Sequence, residues 1–191
     1  STCFIRESST PQKKNPMGSV KIPFLHSMNT LNNSAEGKTT LSISNLNPCL
    51  SFSRSRLKKF FQTIFSLYPQ GPTGDLSVVF MERSSHNKLH GEFLNDYRPT
   101  DVITFPPDPA EQMAGEICVS VEQAWDESLS RDLPFPRELS LYLIHGWLHL
   151  VGFDDIEKVE RKQMRFEEER CLKHIEEQDC WPDFVLAQTD N

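Results

Sequence analysis

The sequence predicts an α+β domain built on one mixed, mainly four-stranded sheet packed by helices. Three observations predict it. Segments with the period of a strand and segments with the period of a helix are interspersed along the chain. Two long helical patterns close it. The 191 residues suffice for one domain with a real core and fall short of two ordinary ones.

The elements follow in order. Residues 1–38 are rich in Ser, Thr, Asn and Pro without a sustained period, and are expected to form a mobile or disordered tail. That start is basic and acid-poor, as in an organelle transit peptide, but has few arginines and no clear amphipathic helix. It begins without Met, which leaves an extended or trimmed start open. The domain is expected over residues 39–180. "TTLSISNL" alternates Leu41 and Ile43 with polar residues, as a strand does. "RSRLKKFFQTIFSLY" places Leu57, Phe60, Phe61, Ile64, Phe65 and Tyr68 at helical spacing, and "PQGPTG" ends it. "LSVVFM", "VITF" and "EICVSV" supply three more strands, with a short helix over about 86–96 between the first two. The closing helices run from about Pro136 to Val151 and from about Ile156 to Glu177. Residues 181–191 are expected to be a second tail.

Composition narrows the class. No apolar run approaches the ~20 residues that cross a bilayer, so no membrane association is expected. The five cysteines (Cys3, Cys49, Cys118, Cys171, Cys180) are odd in number and never in C-x-x-C. That argues against a disulfide framework and a four-cysteine zinc site, and favours a reducing cytosol. The net charge of −7 excludes a general nucleic-acid coat protein; a nucleic-acid role would need a local basic patch. Residues 1–38 hold five basic and two acidic residues, and the rest of the chain holds 15 and 25.

The chemistry concentrates in "HGWLHLVGFDD", residues 145–155. His145 and His149 are four apart in a helix with almost no polar face, so their side chains lie one turn apart on the same side. Two imidazoles at that spacing can share a cation. Gly152 stands where a left-handed C-terminal residue reverses the chain, and Asp155 follows three residues later. The skeleton H-x-x-x-H-x-x-G-x-x-Asp has the metzincin spacing, with a carboxylate in the place of the third histidine. The alternative is a pair of satisfied buried histidines; the cost of burying both unpartnered favours the metal. Asp154-x-x-Glu157 also fits a capping box for the last helix. Either aspartate could then cap while the other binds, and the motif position favours Asp155. "HNKLH" puts His86 and His90 four apart too, among polar residues, and reads as a solvated helix face. Gly146 occupies the position of the glutamate base of zinc proteases, which disfavours peptide hydrolysis by that route.

These residues resemble the H-G-x-L-H-L-x-G-Y-D-H signature of the YbeY endoribonucleases, the rRNA maturation factors. "LNDYRPTDVITFP" resembles that family's L-N-x-x-Y-R … P-T-D-V-L-S-F-P segment, and "GEICVSVEQA" its G-D-I-x-I-S strand. The resemblance covers about residues 40–180. It implies a metalloprotease-like metal cleft and a single-strand-specific, metal-dependent endoribonuclease. The implied task is 16S rRNA 3′-end maturation and ribosome quality control. The implied cofactor is one divalent ion, most simply zinc, on His145, His149 and Asp155. The implied partners are ribosomal RNA, the small ribosomal subunit, a ribosomal protein and an Era-type GTPase. The implied place is the cytoplasm, or an organelle matrix if the tail is a transit peptide. His145 and Arg98 match functional positions, although about four residues between Arg98 and Pro99-Thr100-Asp101 are missing here. Arg54, Lys58, Lys59 and Arg83, with Arg56 and the Lys158/Arg161/Lys162/Arg165 group, are candidates for an RNA track, solvated charge being the plain alternative. A metalloprotease and a non-cleaving ribosome assembly factor are the competing functions.

Overall fold

The structure is a computed structural model that describes residues 3–4, 38–95 and 98–187. Along the chain run β1 (Cys3–Phe4), β2 (Thr39–Asn45), β3 (Leu50–Ser51), α1 (Arg54–Leu67), β4 (Gly74–Met81) and α2 (Arg83–Leu94). Then come β5 (Val102–Phe105), β6 (Met113–Ser120), α3 (Val121–Ser130), α4 (Phe135–Val151), α5 (Lys158–Glu177) and β7 (Val185–Leu186). The main sheet has the order β1-β5-β6-β4-β2. Strands β2, β4 and β6 are parallel, and β5 is antiparallel to β6. The expected mixed, four-stranded sheet is therefore present, with the two-residue β1 added parallel to β5. The rest of the N-terminal segment, His26 included, lies outside the described residues.

Alternation decides which side of the sheet each residue serves. On β4, Leu76, Val78 and Phe80 enter the main core with Phe60, Phe61 and Ile64 of α1. On the opposite face, Ile103 and Cys118 form a smaller apolar cluster with Leu89 of α2. Helix α1 starts where the Ser53 side chain accepts the Arg56 N–H.

Four expectations need correction. The stretch after Ser120 is the helix α3, not the end of a strand. "VEQAWDESLS" buries Val121, Ala124 and Ser128 at helical spacing, and the two closing helices become three. The expected C-terminal tail packs back in part: Phe184 is buried, and β7 pairs antiparallel with β3. The capping box of α5 is built by Glu157 and Glu160, so neither Asp154 nor Asp155 caps it. Finally, His86 and His90 are buried, not solvated. Helix α2 lays them on the second face of the sheet, where His86 Nε2 meets the Cys118 carbonyl at 3.0 Å and His90 Nδ1 meets the Arg98 carbonyl at 3.1 Å. Polar sequence neighbours concealed a burial that backbone carbonyls make affordable.

Helix α4 is the spine of the domain, packed on β5 and β6 and flanked by α3 and α5. It comes so close to the sheet because Gly146 has no side chain. A Cβ there would stand 2.7 Å from Ile117 Cγ2 and 3.2 Å from Val102 Cγ2.

Gly146→Ala is expected to destabilise the protein by about 1–2 kcal/mol in urea titration, since the clash outweighs the gain in helix propensity. An unchanged midpoint would show that the sheet yields. His86 supplies a pH test. Burial holds its imidazole below the ordinary 6.5, so the unfolded chain takes up the proton first and stability falls as pH drops below that value. The stability advantage of wild type over His86→Asn should therefore narrow from about pH 7 to about pH 5, and a constant difference would contradict a neutral buried His86.

Candidate metal centre

The last two turns of α4 and the loop after it bring three donors together. His145 and His149 occupy successive turns of one face, with ring centroids 4.6 Å apart and planes at 84°. Gly152 then adopts φ 112°, a left-handed conformation that suits glycine. Its N–H reaches the His149 carbonyl at 3.0 Å, and the Phe153 N–H reaches the Leu148 carbonyl at 3.0 Å. This paired closure turns the chain back over the histidines. Asp155 Oδ1 then lies 3.8 Å from His149 Nε2, and Oδ2 lies 4.0 Å from His145 Nε2. All three donor atoms fall within 4.8 Å of one another. Asp154 is outside this group and accepts the Asp155 N–H at 2.8 Å.

The outer nitrogens of both rings are engaged. His145 Nδ1 bonds the Glu168 carboxylate of α5, and His149 Nδ1 bonds the Phe153 carbonyl at 3.1 Å. Acceptors on both Nδ1 atoms place the protons there and leave each Nε2 as a lone pair. The two Nε2 atoms nevertheless face each other at 3.0 Å. Two lone pairs at that distance repel unless a proton or a cation sits between them. Nitrogens bound to one zinc at tetrahedral angles stand about 3.3 Å apart, close to this separation. Two buried imidazoles, a partly exposed carboxylate and outer hydrogen-bond partners thus fit a single divalent cation.

Electrostatics separates the two rings. Burial pulls the His145 imidazole down, but the Glu168 hydrogen bond and charge, with Asp101 and Asp155, leave it raised. His149 is lowered by burial and then by the neighbouring His145. His145 and Glu168 also line a cleft of about 340 Å³ bounded by residues 99–101, α3, α4 and α5. Within its walls Arg131 pairs with Glu127 at 3.0 Å and with Glu138 at 3.3 Å. Glu138 is fully buried, and burial raises its carboxyl although Arg131 pulls the other way.

Of the other sequence candidates, Arg165 lines this cleft and those that follow are dispersed. Arg98 is exposed beside Pro99, which lines the cleft, and its carbonyl is held by His90. Lys58 and Lys59 are exposed on α1, and Arg54 donates to the Ile43 carbonyl at 3.0 Å. Arg83 is paired with Asp126 at 2.5 Å and lines a different cavity.

Sequence reasoning passed over Glu168 and the Arg131–Glu138 pair. A signal for Glu168 existed. It falls at i+4 from Met164 and before Cys171 and Leu172, inside the apolar stripe of α5. A carboxylate there requires a partner.

Comparison with known proteins converges on one family. The family profile described as Endoribonuclease YbeY matches residues 42–176. An Endoribonuclease YbeY of Protochlamydia amoebophila is 33% identical over 139 residues, covering 71% of this chain and 92% of that protein. One of Carboxydothermus hydrogenoformans is 29% identical over 136 residues, covering 70% of this chain and 95% of its own. A Thermotoga maritima protein solved in solution has a similar fold, with TM-score 0.54, 22% identity, and coverage of 73% of this chain and 91% of that one.

His149→Ala should abolish stoichiometric metal, and Asp155→His should retain or tighten it, as read by elemental analysis after gel filtration. Unchanged content in both variants would refute the ligand set. Glu168→Gln should weaken metal affinity by roughly 10–100-fold without removing a ligand.

Proposed function

The chain belongs to the endoribonuclease YbeY family, and from that premise we propose that it is a metal-dependent endoribonuclease acting on single-stranded segments of ribosomal RNA. The observation that carries this reading is the convergence of His145, His149 and Asp155 beside a cleft, with no carboxylate at the position after His145. In a zinc protease that position holds the base. Here Gly146 is pressed against Ile117 and Val102, so a side chain there would run into the sheet. The site keeps the means to activate a phosphodiester and lacks the usual means to hydrolyse a peptide.

His145, His149 and Asp155 would hold the cation, zinc being the simplest choice for two imidazoles and one carboxylate. When bound, it supplies Lewis acidity for phosphodiester hydrolysis. The chain's own residues do the rest. Glu168 and the Phe153 carbonyl fix the rings so that each Nε2 points inward. The Arg131 guanidinium, paired with Glu127 and Glu138, offsets part of the repulsion that this acidic wall would exert on a phosphate. Arg98 precedes Pro99 of the cleft wall, on the segment that His90 anchors, and would clamp a phosphate oxygen pair.

The proposed setting is 16S rRNA 3′-end maturation and ribosome quality control. The partners would be the small subunit, a ribosomal protein and an Era-type GTPase, in the cytoplasm or an organelle matrix. Among the described residues no helix is long and apolar enough to cross a membrane.

The test is direct. With zinc, cobalt or manganese supplied, the purified protein should nick a structured rRNA fragment in its unpaired regions and leave casein intact. Asp155, where the family has histidine, favours one competitor: a ribosome assembly factor that binds without cutting. Binding to ribosomal particles with every fragment intact, under all three metals, would establish that competitor.

A further inference from the structure

The cleft beside His145 has two arginines in its walls, and they are in opposite situations. Arg131 is committed: its guanidinium is paired with Glu127 on α3 and with the buried Glu138 on α4. Arg165 is exposed, and among the described residues no hydrogen bond or ion pair engages its guanidinium. It stands three residues before Glu168 on α5, so the two share a helix face. Glu168 is tied to His145, which places this face of α5 against the donor cluster. Arg161, one turn earlier, has a different task. Its guanidinium donates to the carbonyls of Asp155, at 3.2 Å, and of Ile156. Of these three guanidiniums only that of Arg165 stays available to a ligand.

Resting on the RNA-cleaving reading above, we propose that Arg165 is a substrate contact of the cleft. It would hold an RNA phosphate adjacent to the one being cut and set the register of the strand across the donor cluster. An arginine suits this position because its planar fork meets two phosphate oxygens at once.

The cleft walls also carry Asp101, Glu127, Glu138 and Glu168, and the proposal must survive them. Arg131 sits between Glu127 and Glu138, and burial raises the Glu138 carboxyl. Glu168 is hydrogen-bonded to His145 Nδ1. Asp101 accepts from Thr100 Oγ1 and from the Val102 N–H. Each carboxylate therefore has a local donor or counter-charge, whereas Arg165 has none.

The test uses the full chain loaded with zinc and a fluorescent single-stranded oligoribonucleotide. KM, kcat and Kd are read across a salt series for wild type, Arg165→Gln, Arg165→Lys and Lys173→Gln. Lys173 is also exposed on α5 but lies outside the cleft lining and outside the candidate RNA track, so it controls for loss of any surface charge. Arg165→Gln should raise KM and Kd about tenfold, and reduce the slope of log affinity against log salt by about 1. Metal content and melting temperature should be unchanged, and Arg165→Lys should recover part of the loss. If Arg165→Gln stays within twofold of Lys173→Gln in KM, Kd and salt slope, the proposal is overturned while the cleaving activity stands. A wild-type protein that neither binds nor cuts the oligonucleotide would overturn the functional reading, and this inference with it.

Discussion

The approach of α4 to the sheet at Gly146 is the constraint on which the rest depends. With no Cβ at that position, Ile117 and Val102 press directly on the helix backbone. That contact makes α4 a central element, with α3 and α5 at its sides. Once the helix is enclosed, its two histidines lose solvent and must find partners within the protein. Their Nδ1 atoms find Glu168 and a backbone carbonyl, and their Nε2 atoms are left facing each other. The donor cluster is thus a consequence of helix packing as much as of local sequence. The same glycine leaves no carboxylate at the position after His145.

Much of this was legible from residues alone, because the relevant signals are local. Strand alternation around Leu41 and Ile43, and helical spacing through Phe60 and Phe61, needed only a short window. The pairing of His145 with His149 and the reversal at Gly152 are likewise properties of neighbouring residues. What escaped depends on tertiary packing. Helix α3 begins directly at the end of β6, with Ser120 serving as both strand end and cap, so no turn residues mark the change. Strands β3 and β7 have two residues each, too few for any period to show.

The histidines show the same division. His86 and His90 carry the i,i+4 spacing of His145 and His149, yet backbone carbonyls hold them against a different sheet face. Spacing states that two side chains share a face; it does not state what that face meets. Glu168 was hidden for the complementary reason: its partner is 23 positions away. The Arg131–Glu138 pair joins two helices whose arrangement only the fold reveals.

Arg161 ties the carbonyls of Asp155 and Ile156 to the second turn of α5. The strand of chain that carries the carboxylate is therefore anchored at both ends, by the closure at Gly152 and by this guanidinium. Every member of the donor group and its outer shell comes from one helix hairpin between His145 and Glu168. In terms of chain entropy, the loops that must close to assemble it are short, so little configurational freedom is lost in bringing its parts together. The centre is in that sense a locally encoded unit, carried by two helices and the turn between them.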